Sequence, residues 1–211
     1  TRDFAGIKPF FYGQNKNGVV FASQFDQVFK HPWFVNSLKL RPETMKEYFG
    51  FGYMQAPNTV YQNIYQVNPG ELLVFYDNGN IENKLLTSFS KKANVQLTSN
   101  TIENYYTCLI KNIMKKQVIS DVPIASFLSG GIDSPLVTAV AKEIKNDIEA
   151  FTFGIKNPNY DESKKASEYA KHLNIKQTIE TVTEDDLLQK IDEHFNYFPE
   201  PFGDYSSIPT Y

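Results

Sequence analysis

The sequence predicts two folds in succession, an antiparallel α+β arrangement over residues 1–85 and a parallel α/β arrangement over residues 100–211. The first prediction comes from two short polar turns between strand-like runs, since turns that short join antiparallel strands. The second comes from three apolar strand-like runs that alternate with helical segments, as parallel connections require. Between the two halves, residues 86–99 lose periodicity and become polar, which predicts a linker.

Composition restricts the class of protein before any motif is considered. The chain has 211 residues, of which 41% are hydrophobic and 21% charged, as expected of one large or two small globular domains. A net charge of -3 offers no attraction for nucleic acid or an acidic membrane, and no apolar run is long enough to span one. We therefore expect no signal peptide, no nucleic-acid or membrane partner, and a cytoplasmic location.

The cysteine and histidine content argues against two other classes of site. A single cysteine, Cys108, excludes an intrachain disulfide and fits a reducing compartment. It lies inside a predicted helix with no neighbouring base to activate it, so we interpret it as structural. Three scattered histidines and one cysteine lack the spacing of a zinc cluster, and we expect His172 and His194 at the surface.

The first half reads as two hairpins separated by helical pieces. Predicted strands are 7–12, 19–22, 72–76 and 81–84, with turns at 13–18 and 77–80 and helices at 24–30 and 41–55. We interpret these residues as scaffold, because none of them forms a catalytic pattern.

The second half reads as strands alternating with helices. The predicted strands are 124–128, which should be buried, 149–153 and 177–182, and a helix begins near Asn100. Asp161 and Glu162 open another helix, where negative charge suits the positive helix end better than it indicates a metal site. Thr183 and Asp186 form the pattern of a helix capping box.

A glycine loop joins the first of these strands to the helix predicted over 135–144. Its sequence is Ser129-Gly130-Gly131-Ile132-Asp133-Ser134. A strand, a glycine turn and a helix N-terminus together make a phosphate site, because free N–H groups and the helix dipole face the ligand. The loop lacks the lysine of a Walker motif and the three spaced glycines of a dinucleotide fingerprint.

The same six residues resemble the pyrophosphate loop of the N-type ATP pyrophosphatases, whose pattern is Ser-Gly-Gly-x-Asp-Ser. The resemblance implies cleavage of ATP between its α and β phosphates, with Asp133 helping to hold Mg²⁺. It assigns ATP binding to Ser129, Gly130, Gly131, Asp133 and Ser134. Leu128 and Phe153 end neighbouring strands, where ligands of parallel sheets bind, so we expect their backbones to hold the adenine.

Other segments resemble glutamine-dependent enzymes. Residues 2–12 and 21–24 resemble the late strands of a class II glutamine amidotransferase domain, with Gln24 where that family usually has Glu. Residues 56–73 resemble the stretch of asparagine synthetases where the glutaminase domain closes, and residues 200–211 resemble their substrate-pocket segment. This last resemblance makes Asp204, Ser206 and Thr210 candidate pocket residues, although Tyr205 departs from the expected pattern.

These resemblances occur in the order glutaminase end, pyrophosphate loop and pocket segment. In this order the chain resembles the glutamine-dependent asparagine synthetase family. The resemblance implies an Ntn-type glutaminase remnant followed by an adenine nucleotide α-hydrolase-like domain. It also implies ATP and Mg²⁺ as cofactors, with aspartate and glutamine-derived ammonia as substrates. The 211 residues would then be an internal piece of a longer enzyme. Whether that enzyme forms a homodimer stays open. Two alternatives stay open: another amide-forming relative, such as a β-lactam synthetase or peptide cyclase, and a non-catalytic nucleotide-binding module.

Overall fold

The computed structural model describes residues 1–86 and 99–204. The predicted linker at 86–99 therefore lies almost entirely outside the described residues. The chain divides into two compact units, one formed by residues 1–92 with 191–211 and the other by residues 93–190.

The first unit is built on antiparallel strands, as predicted. Strands β1 (Phe11–Asn15), β2 (Gly18–Ala22) and β3 (Ile64–Gln66) form one sheet in the order β2-β1-β3. Strands β4 (Glu71–Phe75) and β5 (Ile81–Leu85) form a separate antiparallel pair. The predicted second hairpin is confirmed.

The first hairpin is confirmed, but its first strand begins at Phe11 instead of the predicted residue 7, and the predicted turn at 13–18 is too long. Asn15 pairs with Gly18, so only two residues form the turn and Gly13 lies inside β1. The physical reason is packing, because a Cβ atom on Gly13 would lie 2.8 Å from the Phe34 ring and 3.0 Å from Val28. This glycine therefore admits a neighbouring side chain instead of turning the chain.

Helix α1 (Phe25–Phe29) packs against this antiparallel sheet, and Met45 and Tyr48 of α2 (Pro42–Phe51) pack against the same core. The buried residues of that core are Phe11, Phe25, Val28, Phe34, Met54, Val60 and Ile64. Phe25 packs against Phe11 with ring centroids 5.3 Å apart, and its ring also stacks on Tyr61 at 5.9 Å. The many aromatic residues of the sequence thus supply much of this core.

The second unit has the predicted parallel sheet. Its elements are α3 (Ser99–Gln117), β6 (Ala125–Phe127), α4 (Asp133–Ile144), β7 (Glu149–Ile155), α5 (Ser163–His172) and β8 (Gln177–Val182). The strands are parallel in the order β6-β7-β8, with Phe127 opposite Phe151 and Phe153 opposite Glu180. A last helix, α6 (Glu184–Tyr197), runs past the end of this unit's range.

One face of the parallel sheet carries the core of this unit. Ala150 of β7 contacts a cluster that includes Ala141 of α4 and Ala166 and Ala170 of α5. Small alanine side chains let both helices approach the sheet closely. The other face presents Phe127, Phe151 and Ile155, whose side chains are 40–63% exposed.

Two expectations about burial are wrong, whereas the interpretation of Cys108, which is exposed on α3, as structural stays a prediction. Strand β6 is not buried, because it lies at the edge of the described sheet and Ala125 and Phe127 are exposed. His194 is only 6% exposed, because its ring packs against Phe198 with centroids 4.7 Å apart.

Candidate active site

The loop of residues 129–134 starts from a firmly held strand end. The Leu128 N–H donates to the Phe151 carbonyl at 2.8 Å, and the Leu128 carbonyl accepts from the Thr152 hydroxyl at 2.7 Å. Gln177 donates in turn to the Thr152 oxygen at 2.8 Å. Hydrogen bonds from two neighbouring strands therefore fix where the loop begins.

Two serines close the loop on itself. The Ser129 N–H donates to Ser134 Oγ at 2.8 Å, and the Gly131 N–H donates to Ser129 Oγ at 3.2 Å. The two hydroxyl oxygens lie 2.9 Å apart, so one hydroxyl donates to the other. Each serine has a single hydroxyl hydrogen. One of the two therefore has no acceptor among the described residues and can donate to a ligand.

Gly130 differs from its neighbours because its partner comes from outside the loop. Its N–H donates to Glu162 Oε2 at 3.0 Å. A Cβ atom on Gly130 would lie 3.0 Å from the Glu162 Cβ and 3.2 Å from the Lys165 Cβ. The missing side chain therefore admits the start of α5, a contact that the loop sequence does not predict.

Asp133 is the first residue of α4 and its side chain is exposed. The loop thus ends with a carboxylate at the positive end of a helix. Pro135 follows in the first turn, and behind it Thr138 lies 2.6 Å from Ser126 of β6. This hydroxyl pair ties the helix to the strand on the other side of the loop.

Leu128 directly follows β6, and Phe153 lies in the adjacent strand β7, two residues before its end at Ile155 and not at the end as expected. The Leu128 N–H already donates within the sheet. The Phe153 ring stacks on the Phe127 ring, with centroids 6.0 Å apart and an angle of 27° between their planes. This pair is an apolar surface on the more exposed face of the sheet.

The predicted pocket segment is only partly described. Ser206 and Thr210 lie outside the described residues, and Asp204 is half-buried. Within the first unit, Glu200 Oε1 accepts the Val60 N–H at 2.9 Å, and the Gly203 N–H donates to the Gly52 carbonyl at 2.6 Å. Burial raises the pKa of the Glu200 carboxyl to about 7, although the Val60 hydrogen bond acts in the opposite direction.

The sequence pattern does not predict the contacts of Glu162 and Glu200. It indicates a helix-end charge at Glu162, yet Asp161 performs that function by accepting the Ser163 N–H at 3.1 Å. The hydrogen bonds from Ser163 lower the pKa of Asp161. Gly130 and Glu162 are 32 positions apart, so no local pattern could reveal their hydrogen bond.

The donor set near the loop suits a magnesium ion that arrives with a nucleotide. Over residues 1–86 and 99–204, no group of three or more His, Cys, Asp or Glu side chains could hold a metal alone. Mg²⁺ usually binds through one or two carboxylates together with substrate phosphates. Asp133 at a phosphate-type loop fits that requirement.

No helix among the described residues is long and apolar enough to cross a membrane. The expected cytoplasmic location stays a prediction.

Comparison with protein families supports both halves of the chain. The asparagine synthase family model matches residues 106–211, and the glutamine amidotransferase domain model matches residues 1–86. The glutamine amidotransferase match thus precedes the asparagine synthase match, which is the order that the sequence resemblances predict.

Individual relatives agree with the family matches. The chain is 28% identical over 211 residues to asparagine synthetase (glutamine-hydrolyzing) 1 of Bacillus subtilis strain 168, covering all of this chain and 33% of that protein. It is 32% identical over 152 residues to asparagine synthetase 3 of the same strain, covering 67% of this chain and 22% of that one. The chain thus spans a third or less of these relatives.

Among solved structures, the chain is similar to the NH3-dependent NAD synthetase of Campylobacter jejuni. The TM-score is 0.37, the identity is 24%, and the superposition covers 43% of this chain and 40% of that one. The fold itself is established by the strand pairing described above.

Proposed function

Because the chain belongs to the asparagine synthase family, we propose that it carries the ATP-binding site of a glutamine-dependent asparagine synthetase. The observation that carries this proposal is the serine-closed loop between a parallel strand and the start of α4. We propose residues 1–85 as the end of the glutaminase domain and residues 100–211 as the start of the synthetase domain, joined by residues 86–99.

In the proposed site, the polyphosphate of ATP binds at the loop. The free serine hydroxyl hydrogen of Ser129 or Ser134 donates to a phosphate oxygen. Gly131 lets the backbone come close to the polyphosphate, because a Cβ atom there would meet only Ser129 Oγ, at 3.4 Å. Asp133 holds the Mg²⁺ that accompanies the nucleotide. When bound, that ion offsets the negative charge that develops on the leaving pyrophosphate.

The adenine lies in this proposal at the ends of β6 and β7. The Leu128 N–H and carbonyl are already hydrogen-bonded within the protein. We therefore assign the hydrogen bonds to the adenine base mainly to the Phe153 backbone. The stacked Phe127 and Phe153 rings supply an apolar surface beside it. Asp204, Ser206 and Thr210 are proposed to line the pocket for the amino-acid substrate.

The proposed reaction has two steps. An oxygen of the aspartate side-chain carboxylate attacks the α-phosphorus of ATP, the bond to the bridging oxygen breaks, and its electron pair leaves with pyrophosphate. Ammonia from glutamine then attacks the activated acyl carbon, the carbon–oxygen bond to AMP breaks, and the nitrogen releases a proton to form the amide. The loop donors stabilise the charge of the departing pyrophosphate, because they are already oriented before the bond breaks.

The test is ATP–pyrophosphate exchange in the full-length protein. Exchange that depends on aspartate supports the proposal, because it reports reversible adenylation without the amide-forming step. Exchange that depends on a different carboxylic acid favours a β-lactam synthetase or peptide cyclase. Nucleotide binding without exchange for any acid favours a non-catalytic module.

A further inference from the structure

The carboxylate of Glu162 lies where the loop should receive an anion. Of the N–H groups of residues 129–131, those of Ser129 and Gly131 donate to serine hydroxyls within the loop. The Gly130 N–H alone of these three donates to a charged side chain, Glu162 Oε2, at 3.0 Å. A carboxylate oxygen and a phosphate oxygen are similar acceptors for a backbone N–H.

The backbone at this contact is tightly packed, whereas the carboxylate is free to turn. A Cβ atom on Gly130 would lie 3.0 Å from the Glu162 Cβ and 3.3 Å from the Glu162 carbonyl oxygen, so the two backbones are close. The Glu162 side chain is exposed, and rotation about its side-chain bonds can remove the carboxylate from the N–H. Displacing it requires no movement of α5.

We infer that the Glu162 carboxylate is an internal anion that accepts the Gly130 N–H until nucleotide binds. A phosphate oxygen then displaces it as the acceptor. This inference rests on the proposed function of the loop. The exchange replaces one charge-assisted hydrogen bond by another, and the displaced carboxylate then repels the bound polyphosphate. Both effects weaken binding of the polyphosphate and favour release of the pyrophosphate product.

The test is equilibrium binding of sodium pyrophosphate, measured by calorimetry on the full-length protein. Glu162→Ala should bind roughly three- to tenfold more tightly than the unsubstituted protein, because the net value of one competing hydrogen bond is removed. Glu162→Gln keeps an oxygen acceptor but loses the charge, so its affinity should fall between the two. This nearly isosteric variant also keeps the test valid if the alanine variant folds poorly.

Glu168→Ala is the matched control, since it removes an exposed carboxylate from α5, the helix that Glu162 directly precedes, at a position where none of the described loop contacts is made. Its affinity should change less than twofold. An equal gain in this control would assign the effect to net charge and overturn the inference.

Equal or weaker pyrophosphate binding by both Glu162 variants would also overturn the inference. If the unsubstituted protein still binds in that case, the proposed function of the loop stands. Absence of pyrophosphate binding in the unsubstituted protein and in both Glu162 variants would overturn the inference and the proposed function together.

Discussion

At the scale of single residues, serine hydroxyls of the loop of residues 129–134 accept the N–H groups of Ser129 and Gly131. A typical neutral hydrogen bond contributes about 1 kcal/mol net, whereas bonds to charged acceptors contribute about twice as much. A phosphate can therefore replace the internal acceptors of Ser129 and Gly131 if it brings charge to the loop. Neutral ligands gain little from the same exchange.

Asp133 is the residue on which the proposed chemistry most depends. We expect Asp133→Ala to reduce aspartate-dependent pyrophosphate exchange by about a hundredfold or more, because the proposed Mg²⁺ loses its protein carboxylate. The side chain is exposed, so the circular dichroism spectrum should not change.

Asp147→Ala serves as the control for Asp133, since Asp147 is exposed in the turn between α4 and β7, away from the loop. This variant should retain exchange within about twofold of the unsubstituted rate. Exchange at the normal rate in Asp133→Ala would remove Asp133 from the mechanism.

Glu200 links stability to pH. Its pKa is raised by burial from 4.5 to about 7, so the folded protein binds this proton more tightly than the unfolded chain does. The stabilisation from this proton is complete below about pH 4.5 and is lost as the pH rises through about 7. At alkaline pH the half-buried carboxylate therefore opposes folding.

We expect Glu200→Gln to increase the free energy of unfolding by about 2 kcal/mol at pH 8 and to have little effect near pH 4.5. The amide oxygen still accepts the Val60 N–H but carries no charge. Urea unfolding at the two pH values measures the difference, with the exposed Glu43→Gln as control. A change of the same size at both pH values would contradict this account.

At the scale of elements, the end of α2 depends on backbone conformation. Gly52 has a φ of +80° and its N–H donates to the Tyr48 carbonyl at 2.7 Å, which closes the helix in the left-handed region. Gly50 lies within the same helix, and a Cβ atom there would meet nothing within 4 Å. Position 52 thus favours glycine because of its positive φ, whereas position 50 can accept a side chain.

The two corresponding alanine variants should shift stability in opposite directions. Gly52→Ala should lower the free energy of unfolding by about 1 kcal/mol or more, because a Cβ atom is strained at this φ. Gly50→Ala should raise it by about 0.5–1 kcal/mol, because alanine loses less backbone freedom in a helix. Thermal unfolding of both variants compares them directly, and destabilisation by Gly50→Ala would show that the helix interior is not open at this position.

At the scale of the whole molecule, the chain contains one thiol, and its placement decides what that thiol can do. Cys108 is exposed in the middle of α3. A nucleophilic thiol needs a base or another activating group beside it. Residues 1–211 should therefore release no glutamate from glutamine above the buffer rate, although the thiol should react with Ellman's reagent. Glutamate release that is lost in Cys108→Ser would refute this expectation.

The sequence by itself determined the features that depend on neighbouring residues. Strand, loop and helix follow one another around residues 129–134 because apolar runs, glycines and Pro135 act within a few positions. The same holds for the capping box, where the Thr183 N–H donates to Asp186 Oδ2 at 2.8 Å and Asp186 returns a hydrogen bond to the Thr183 hydroxyl at 3.2 Å. Helices between successive strands likewise determined that β6, β7 and β8 are parallel.

Tertiary structure decided the features that depend on which elements meet. It placed Glu162 on the Gly130 N–H and Glu200 on the Val60 N–H, across 32 and 140 positions of sequence. It also placed β6 at a sheet edge with Phe127 exposed, and buried His194 against Phe198. Periodicity shows only that a side chain lies on one face of its element, whereas burial and partner depend on what packs against that face.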